Sequence, residues 1–177
     1  MQYINHYESP LGSITLGSDG ENLTGLWFDD QKYFASTLCE ETAEKDLTIF
    51  TQTKQWLDIY FNGQNPGFTP QLKLSGSDFR IAVWEILKEI PYGHIMTYSE
   101  IAHRIALIKG IDKMSAQAVG GAVGHNPISI IVPCHRVVGS NGSLTGYAGG
   151  IDKKLKLLTL EKADVNNLFV PKKGSAL

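Results

Sequence analysis

Apolar and polar residues fall into two regimes along the chain. Tyr3 to Tyr7, Ser13 to Leu16 and Leu23 to Phe28 are short apolar-rich runs, separated by Ser9-Pro10-Leu11-Gly12 and by Ser18-Asp19-Gly20, both turn chemistry. They predict a three-stranded antiparallel meander. From about Glu44 to Asn62 the period changes: Leu47, Phe50, Leu57, Tyr60 and Phe61 recur at helical spacing, and Asn62-Gly63 ends the helix. Gly63 to Gly67 reads as a loop, and Pro70 to Ser75 as one more short strand or a linker.

The second half is mostly helical. Phe79, Val83, Ile86, Leu87 and Ile90 form the apolar stripe of a helix from Asp78 to Glu89, with Ser77 placed to cap it and Pro91-Tyr92-Gly93 to end it. Thr97-Tyr98-Ser99-Glu100 is a capping box that opens a helix through about Leu107, and Ser115 is an N-cap for another running to about Gly124. Together these two predict a helix-turn-helix. Ile128 to Val132 is β-branched and continuous, which predicts a buried extended segment. Ile151, Leu155 and Leu158 mark a last helix capped by Asp152 and ending near Ala163, followed by a loosely held tail from Asp164 to Leu177. The expected fold class is α+β. A small antiparallel-sheet-plus-helix domain (1–75) precedes a mostly helical domain with a helix-turn-helix (76–177).

Composition narrows the function classes. No apolar run approaches the roughly 20 residues of a membrane-spanning helix, and MQYINHYESP has neither the basic start nor the apolar stretch of a secretory leader. The two cysteines, Cys39 and Cys134, cannot form a disulfide framework, and no Cys/His spacing resembles a zinc site. A soluble, reduced, cytoplasmic protein is expected. Residues 1–70 hold three lysines against ten acids, whereas 71–177 hold thirteen basic residues against eight acids. That asymmetry suggests two modules, the second facing an anion such as nucleic acid, although an ordinary solvated surface explains it about as well.

Two segments carry candidate chemistry. The predicted helix Ala116-Gln117-Ala118-Val119-Gly120-Gly121-Ala122-Val123-Gly124 is nearly free of long side chains. Its two adjacent interior glycines forfeit roughly 2 kcal/mol of helix propensity. Either another helix packs closely there or something outside the chain approaches the backbone. With only Gln117 able to read base edges, the helix suits a groove read by shape. The other segment is Pro133-Cys134-His135-Arg136-Val137-Val138, where proline fixes the chain entering a cysteine followed at once by His135 and Arg136. Such neighbours favour the thiolate, the nucleophilic form. Side chains of adjacent residues diverge, so a bridging water is the expected proton path from Cys134 to His135. Asp152, Glu161 and Asp164 are all candidates to orient that histidine. Cys39, alone beside acidic residues, reads as non-catalytic.

Ile131-Val132-Pro133-Cys134-His135-Arg136-Val137 resembles the active-site motif of the O6-alkylguanine-DNA alkyltransferases. Ile90-Pro91-Tyr92-Gly93, Thr97-Tyr98, Ala118-Val119-Gly120-Gly121-Ala122, Asn126-Pro127 and Gly146-Tyr147-Ala148-Gly149-Gly150 follow that family's order as well. The resemblance covers roughly residues 77–163; the N-terminal half is more weakly similar to the family's ribonuclease-H-like domain. It implies direct-reversal DNA repair: Cys134 takes the alkyl group from O6 of guanine and keeps it as a thioether, once per molecule, with no cofactor. O4-alkylthymine stays open as a second substrate. His135 would relay the thiol proton with Glu161 orienting it, Asn126 would brace the preceding turn, and Tyr98 would donate a hydrogen bond to the leaving guanine. Carbonyls of Cys134 and Val137 would read the exocyclic amine, and Tyr147, Ala148 and Gly149 would close over a flipped base. Ser115, Ala116, Gln117, Ala118, Gly120 and Gly121, with Arg136, would contact double-stranded DNA from its minor groove. No membrane partner is implied, and the protein is expected to act as a monomer.

Two departures from the family pattern stand out. Gln117 occupies the position where many members carry an arginine that fills the space of the flipped base, and the connection from Ile105 to Met114 is longer than in many relatives. Two rival readings remain at this level. A lesion-recognition or regulatory module would bind DNA without needing Cys134, and a cysteine hydrolase built on Cys134, His135 and Glu161 would turn over an ester or amide.

Overall fold

The computed structural model describes residues 1–171. The chain divides into two compact units, Met1–Ser75 with Pro127–Ile131, and Gly76–Asn126 with Val132 onward.

In the first unit, β1 (Gln2–Ser9), β2 (Gly12–Ser18) and β3 (Leu23–Phe28) form the antiparallel meander. Tyr3 lies opposite Ser18 and Ser9 opposite Gly12. A fourth strand, β4 (Thr42–Glu44), adds parallel to β1 and gives the order β3-β2-β1-β4. It is three residues long and mostly polar, so its pattern does not announce it. Helix α1 (Thr48–Phe61) packs on β1 to β3, burying Phe50, Leu57 and Tyr60 over Ile14, Leu16 and Leu26.

The outer edge of β3 is covered by backbone from far along the chain. Leu23 pairs in parallel with Leu72, and Leu26 with Ile128. The Leu26 N–H donates to the Pro127 carbonyl and the Ser129 N–H to the Leu26 carbonyl, both at 2.9 Å. Gln31 fastens this excursion further: its Oε1 accepts from the Phe28 N–H at 3.0 Å and the Ser129 hydroxyl at 3.1 Å. Residues 128–132 are buried as expected, but they are not extended throughout. Ile130 sits at φ +69°, and the Ile131 N–H donates to the Ser129 carbonyl at 2.8 Å, a tight left-handed turn. Pairing with β3 overrides the β-branched preference at this point.

The second unit comprises α2 (Asp78–Lys88), β5 (Met96–Thr97), α3 (Tyr98–Lys109), α4 (Ala116–Gly124), a 3-10 turn (Cys134–Arg136), β6 (Val137–Val138) and α5 (Ile151–Leu160). Its caps follow from local sequence. The Ser77 hydroxyl accepts from the Arg80 N–H, the Ser115 hydroxyl from the Ala118 N–H, and both bonds of the Thr97–Glu100 capping box are made. At α5 the cap is Gly150; Asp152 lies in the first turn, where a carboxylate favours the helix dipole without capping it. The Trp84 indole donates to the Ala122 carbonyl at 2.8 Å, tying α2 to α4. The tail is held as far as Phe169. Val165 and Leu168 pack against Val138, Leu144 and Leu158, and the Leu144 N–H donates to the Phe169 carbonyl at 2.9 Å. The expectation for the tail beyond Pro171 lies outside the described residues. Among the described residues no helix is long and apolar enough to cross a membrane.

Candidate active site

Pro133 turns the chain sharply into the 3-10 turn, with the Cys134 N–H donating to the Val132 carbonyl at 2.8 Å. Cys134 is 3% exposed. The Asn126 side-chain amide donates to the Val132 carbonyl at 2.7 Å and to Cys134 Sγ at 3.2 Å, so one residue closes the neck of the 126–132 loop and touches the thiol. Burial pushes the Cys134 thiol up from its ordinary pKa, opposed by the Asn126 hydrogen bond and the charge of Lys154. The cysteine therefore rests as a thiol and needs a base.

His135 supplies a base in the right protonation state. Its Nε2 lies 2.6 Å from Glu161 Oε1, and the ring is fully buried. Burial holds its pKa below the usual value in spite of the carboxylate, so the imidazole is neutral at working pH. With Nε2–H donating to Glu161, Nδ1 is the nitrogen that can take a proton. Of the three candidate carboxylates, Glu161 is the one the fold brings to His135.

Glu161 follows α5 directly and is 2% exposed. Its Oε1 also accepts from Arg136 Nη2 at 3.0 Å, while Oε2 accepts from Arg136 Nε at 2.9 Å and from the Gly93 N–H at 3.1 Å. Although burial raises its pKa, these bonds and the adjacent cation together hold its carboxyl well below the usual carboxylate range. The arrangement corrects one expectation. Arg136, placed by sequence among the DNA-contacting residues, is directed inward: it chelates Glu161 and donates from Nη1 to the Ile90 carbonyl at 2.6 Å.

Gly93 matters beyond ending α2. It sits at φ +75°, and a Cβ there would lie 2.9 Å from the Glu161 carbonyl oxygen. Gly93→Ala is expected to destabilise the protein by about 1–3 kcal/mol through backbone strain and that collision. Thermal unfolding at neutral pH measures it, and an unchanged midpoint would contradict the assignment.

Tyr98, the first residue of α3, donates to the Thr145 carbonyl at 2.9 Å. Burial and the neighbouring Cys134 push its pKa up, so the hydroxyl stays a donor across the working range. Tyr147 is buried, its ring edge-on to His135 with centroids 6.4 Å apart. Tyr98, Gln117, Gly120 and Thr145 line a cavity of about 350 Å³ with Ser99, Ala116, Gly139 and Ser140. On α4, Val119, Ala122 and Val123 face inward, while Gln117 and Ala118 are exposed. A Cβ on Gly121 would meet nothing within 4 Å, so packing inside the chain does not require glycine there.

Lys154 is the residue sequence reading missed. It is fully buried, and its ammonium donates to the Val137 carbonyl and, at 2.6 Å, to the Thr145 carbonyl. A signal was present: Lys154 is three residues after Ile151, four before Leu158 and seven before Glu161, on the inward face of α5. Cys39, by contrast, is exposed, with Sγ 2.9 Å from the Glu41 carbonyl.

The family model described as "6-O-methylguanine DNA methyltransferase, DNA binding domain" matches residues 78–163, and the one described as "6-O-methylguanine DNA methyltransferase, ribonuclease-like domain" matches residues 3–74. A methylated-DNA–protein-cysteine methyltransferase of Haemophilus influenzae is 41% identical over 161 residues, covering 90% of this chain and 86% of that protein. The inducible one of Bacillus subtilis is 40% identical over 161 residues, covering 90% and 84%. Among solved structures, OGT of Mycobacterium tuberculosis in complex with DNA is similar with a TM-score of 0.79 and 40% identity, covering 94% of this chain and 99% of that one.

Proposed function

From the premise that this chain belongs to the 6-O-methylguanine DNA methyltransferase family, we propose that Cys134 is the acceptor of the alkyl group and that His135, Glu161, Asn126 and Tyr98 serve it. The activity is direct-reversal DNA repair by methylated-DNA–protein-cysteine methyl transfer. The observation that carries the assignment is the buried line from Cys134 Sγ through Asn126 on one side and His135–Glu161–Arg136 on the other.

The step is an in-line displacement. A new bond forms between Cys134 Sγ and the alkyl carbon while the carbon–O6 bond breaks, its electron pair remaining on the guanine. The thiol proton passes through a water to His135 Nδ1, and the imidazolium is stabilised by Glu161. Glu161 needs no proton itself, because its bonds from His135 and Arg136 and their positive charge hold it ionised. Tyr98 turns its donor from Thr145 to the guanine ring as negative charge develops there, and the Cys134 and Val137 carbonyls accept from the exocyclic amine. Tyr147, Ala148 and Gly149 close over the base, which must leave the duplex to reach a thiol this deep.

The outward side of α4, with Ser115, Ala116, Gln117, Ala118 and Gly121, is the surface that enters the minor groove of a duplex carrying alkylated guanine, bound by one protein molecule; Gly120, expected there from the sequence, is buried on the inward side of the helix. The open space over Gly121 supports close approach of a backbone or sugar edge. Gln117 fills the gap left by the flipped base with hydrogen bonds but without the stacking of a guanidinium. Gln117→Arg is therefore expected to tighten lesion-duplex binding about 5- to 10-fold, through one further cationic contact of about 1 kcal/mol. A fluorescence titration checks this, and weaker binding with slower repair would contradict the assignment of that helix.

The decisive experiment is intact-protein mass spectrometry after incubation with a duplex containing O6-methylguanine, followed by peptide mapping. A gain of one methylene per chain on Cys134 is the expected result. Binding to the lesion with no mass gain would instead establish recognition without repair.

A further inference from the structure

The loop that leads to Cys134 is anchored at a point remote from the relay. Ser129 is buried between Ile128 and Ile130, and its hydroxyl donates to Gln31 Oε1 at 3.1 Å. Gln31 is itself buried, and the same oxygen accepts the Phe28 N–H at the turn that follows β3. That turn occupies only one of the oxygen's lone pairs. The other holds a residue 98 positions further along the chain. Burying an amide and a hydroxyl to make one such bond contributes little more than an apolar pair of the same shape. Stability alone therefore gives no reason for Gln31 and Ser129 to be polar.

What the bond does fix is position. Immediately after Ser129 the chain is strained: Ile130 is left-handed at φ +69°, and the Ile131 N–H returns to the Ser129 carbonyl at 2.8 Å. A β-branched residue avoids that conformation, which persists only where the surroundings over-determine it. Here Ser129 is gripped twice, by its N–H on the Leu26 carbonyl and by its hydroxyl on Gln31. Two residues later comes the Val132 carbonyl, which accepts from the Asn126 amide at 2.7 Å and from the Cys134 N–H at 2.8 Å. The same amide reaches Cys134 Sγ at 3.2 Å. The place of one carbonyl thus sets both the cysteine turn and the donor at the sulfur.

Building on the alkyl-transfer reading, we propose that Gln31 is a positioning residue for the transfer: through the Ser129 hydroxyl it locks the left-handed turn at Ile130, and through that turn it holds the Val132 carbonyl where Asn126 donates to the Cys134 sulfur. Gln31 touches neither the thiol nor the His135–Glu161 relay. Its effect travels along the chain from Ser129 to Val132. Loosening the anchor should therefore weaken the hydrogen bond at sulfur without altering the groups that bind DNA.

The test uses the full chain in a Cys39→Ser background, so that Cys134 is the thiol observed. Ser129→Ala removes the bond to Gln31 and leaves the Phe28 N–H its acceptor. Lys154 on α5 and Tyr98 on α3, the titratable groups whose charge bears on Cys134, and His135 next to it are unchanged. The Asn126 amide lowers the Cys134 midpoint, so loosening it is expected to raise that midpoint by about half a pH unit. Ultraviolet thiolate absorbance reads the shift, with Cys134→Ser subtracted to remove tyrosine. Single-turnover transfer from an O6-methylguanine duplex should slow about threefold near neutral pH, in step with the thiolate fraction, with duplex affinity unchanged. Gln31→Met, which has no acceptor, should shift the midpoint the same way, and adding Ser129→Ala to it should bring no further shift. A folded Ser129→Ala protein with a lowered unfolding midpoint but the wild-type thiol midpoint and rate would make the bond merely structural, and overturns the proposal. Hydrogen exchange of the wild-type protein tests it without a variant: the Ser129 and Cys134 N–H groups should be released together as urea is raised. A Cys134 N–H that exchanges about tenfold faster than that of Ser129, or more, means that the cysteine turn moves independently of its anchor, which also overturns the proposal. If the wild-type protein itself removes no methyl group, the alkyl-transfer reading fails, whereas the thiol midpoints still report on Gln31.

Discussion

Cys134→Ser is expected to leave lesion-duplex binding within about twofold of wild type and to lower methyl transfer by at least roughly three orders of magnitude. A serine hydroxyl is far less acidic than a thiol. Cys134 is already held as the neutral thiol by burial, so His135 has no reserve with which to activate a weaker acid. The substitution is small and the site is closed, so the Asn126 amide can donate to the serine oxygen as it does to sulfur and the loop neck should survive. Binding and transfer therefore separate cleanly. Titration of a fluorescent O6-methylguanine duplex reads the first, and mass spectrometry under single-turnover conditions reads the second. Full methyl transfer by the serine variant would mean that the acceptor lies elsewhere. Such a result would also remove the reason for the buried line of groups behind Cys134.

The second large effect is expected at Glu161. Glu161→Gln leaves Arg136 buried with no anion and takes from His135 the group that stabilises its protonated form. A stability loss of about 3 kcal/mol follows from the uncompensated guanidinium, and transfer should slow by about 10²-fold through the weakened base. The pH dependence distinguishes this from general damage. Glu161 has a folded pKa depressed below its unfolded value, so its contribution is fully present above about pH 4.3, the ordinary glutamate value, and is lost as pH falls through the folded value. His135, buried neutral with a depressed pKa, adds to the acid loss because it must charge on unfolding. Wild-type stability should thus decline below about pH 4 more steeply than that of Glu161→Gln, as thermal unfolding from pH 3 to pH 7 would reveal. An unchanged transfer rate in a folded Glu161→Gln protein would remove this residue from the mechanism.

What could be read from the sequence alone was mainly what is decided locally. Ser77, Thr97 with Glu100, and Ser115 cap helices through groups within three residues, so their bonds are visible in the chain itself. The three strands of the meander are set by short apolar-rich runs and by two turns. What depends on distant partners was misread or missed. Ile128 to Val132 has the composition of a strand, but its bonds to Leu26 and Gln31 bend it at Ile130. Strand β4 is polar and exists because β1 offers it an edge. The family resemblance put Arg136 among the DNA contacts, and only the return of the chain after α5 brings the carboxylate that holds it inward. The same return selects Glu161 over Asp152 and Asp164, which spacing left equivalent. Lys154 does not enter a reading of the last helix from Ile151, Leu155 and Leu158 alone, although its heptad offset from Glu161 puts it on the buried side.

The excursion of residues 127–131 into the first unit has a consequence for how this protein can be taken apart. A cut between Ser75 and Gly76 yields neither unit whole, because the stretch between Asn126 and Val132 completes the other unit's sheet edge. A fragment starting at Gly76 would carry Ile128 and Ile130 with their covering removed, along with a left-handed isoleucine that nothing then holds. The two halves are thus poor cassettes for gene fusion, domain exchange or split-reporter design, although their sequence boundary looks simple. Any working division has to keep the first 75 residues together with the short loop that leads to the cysteine.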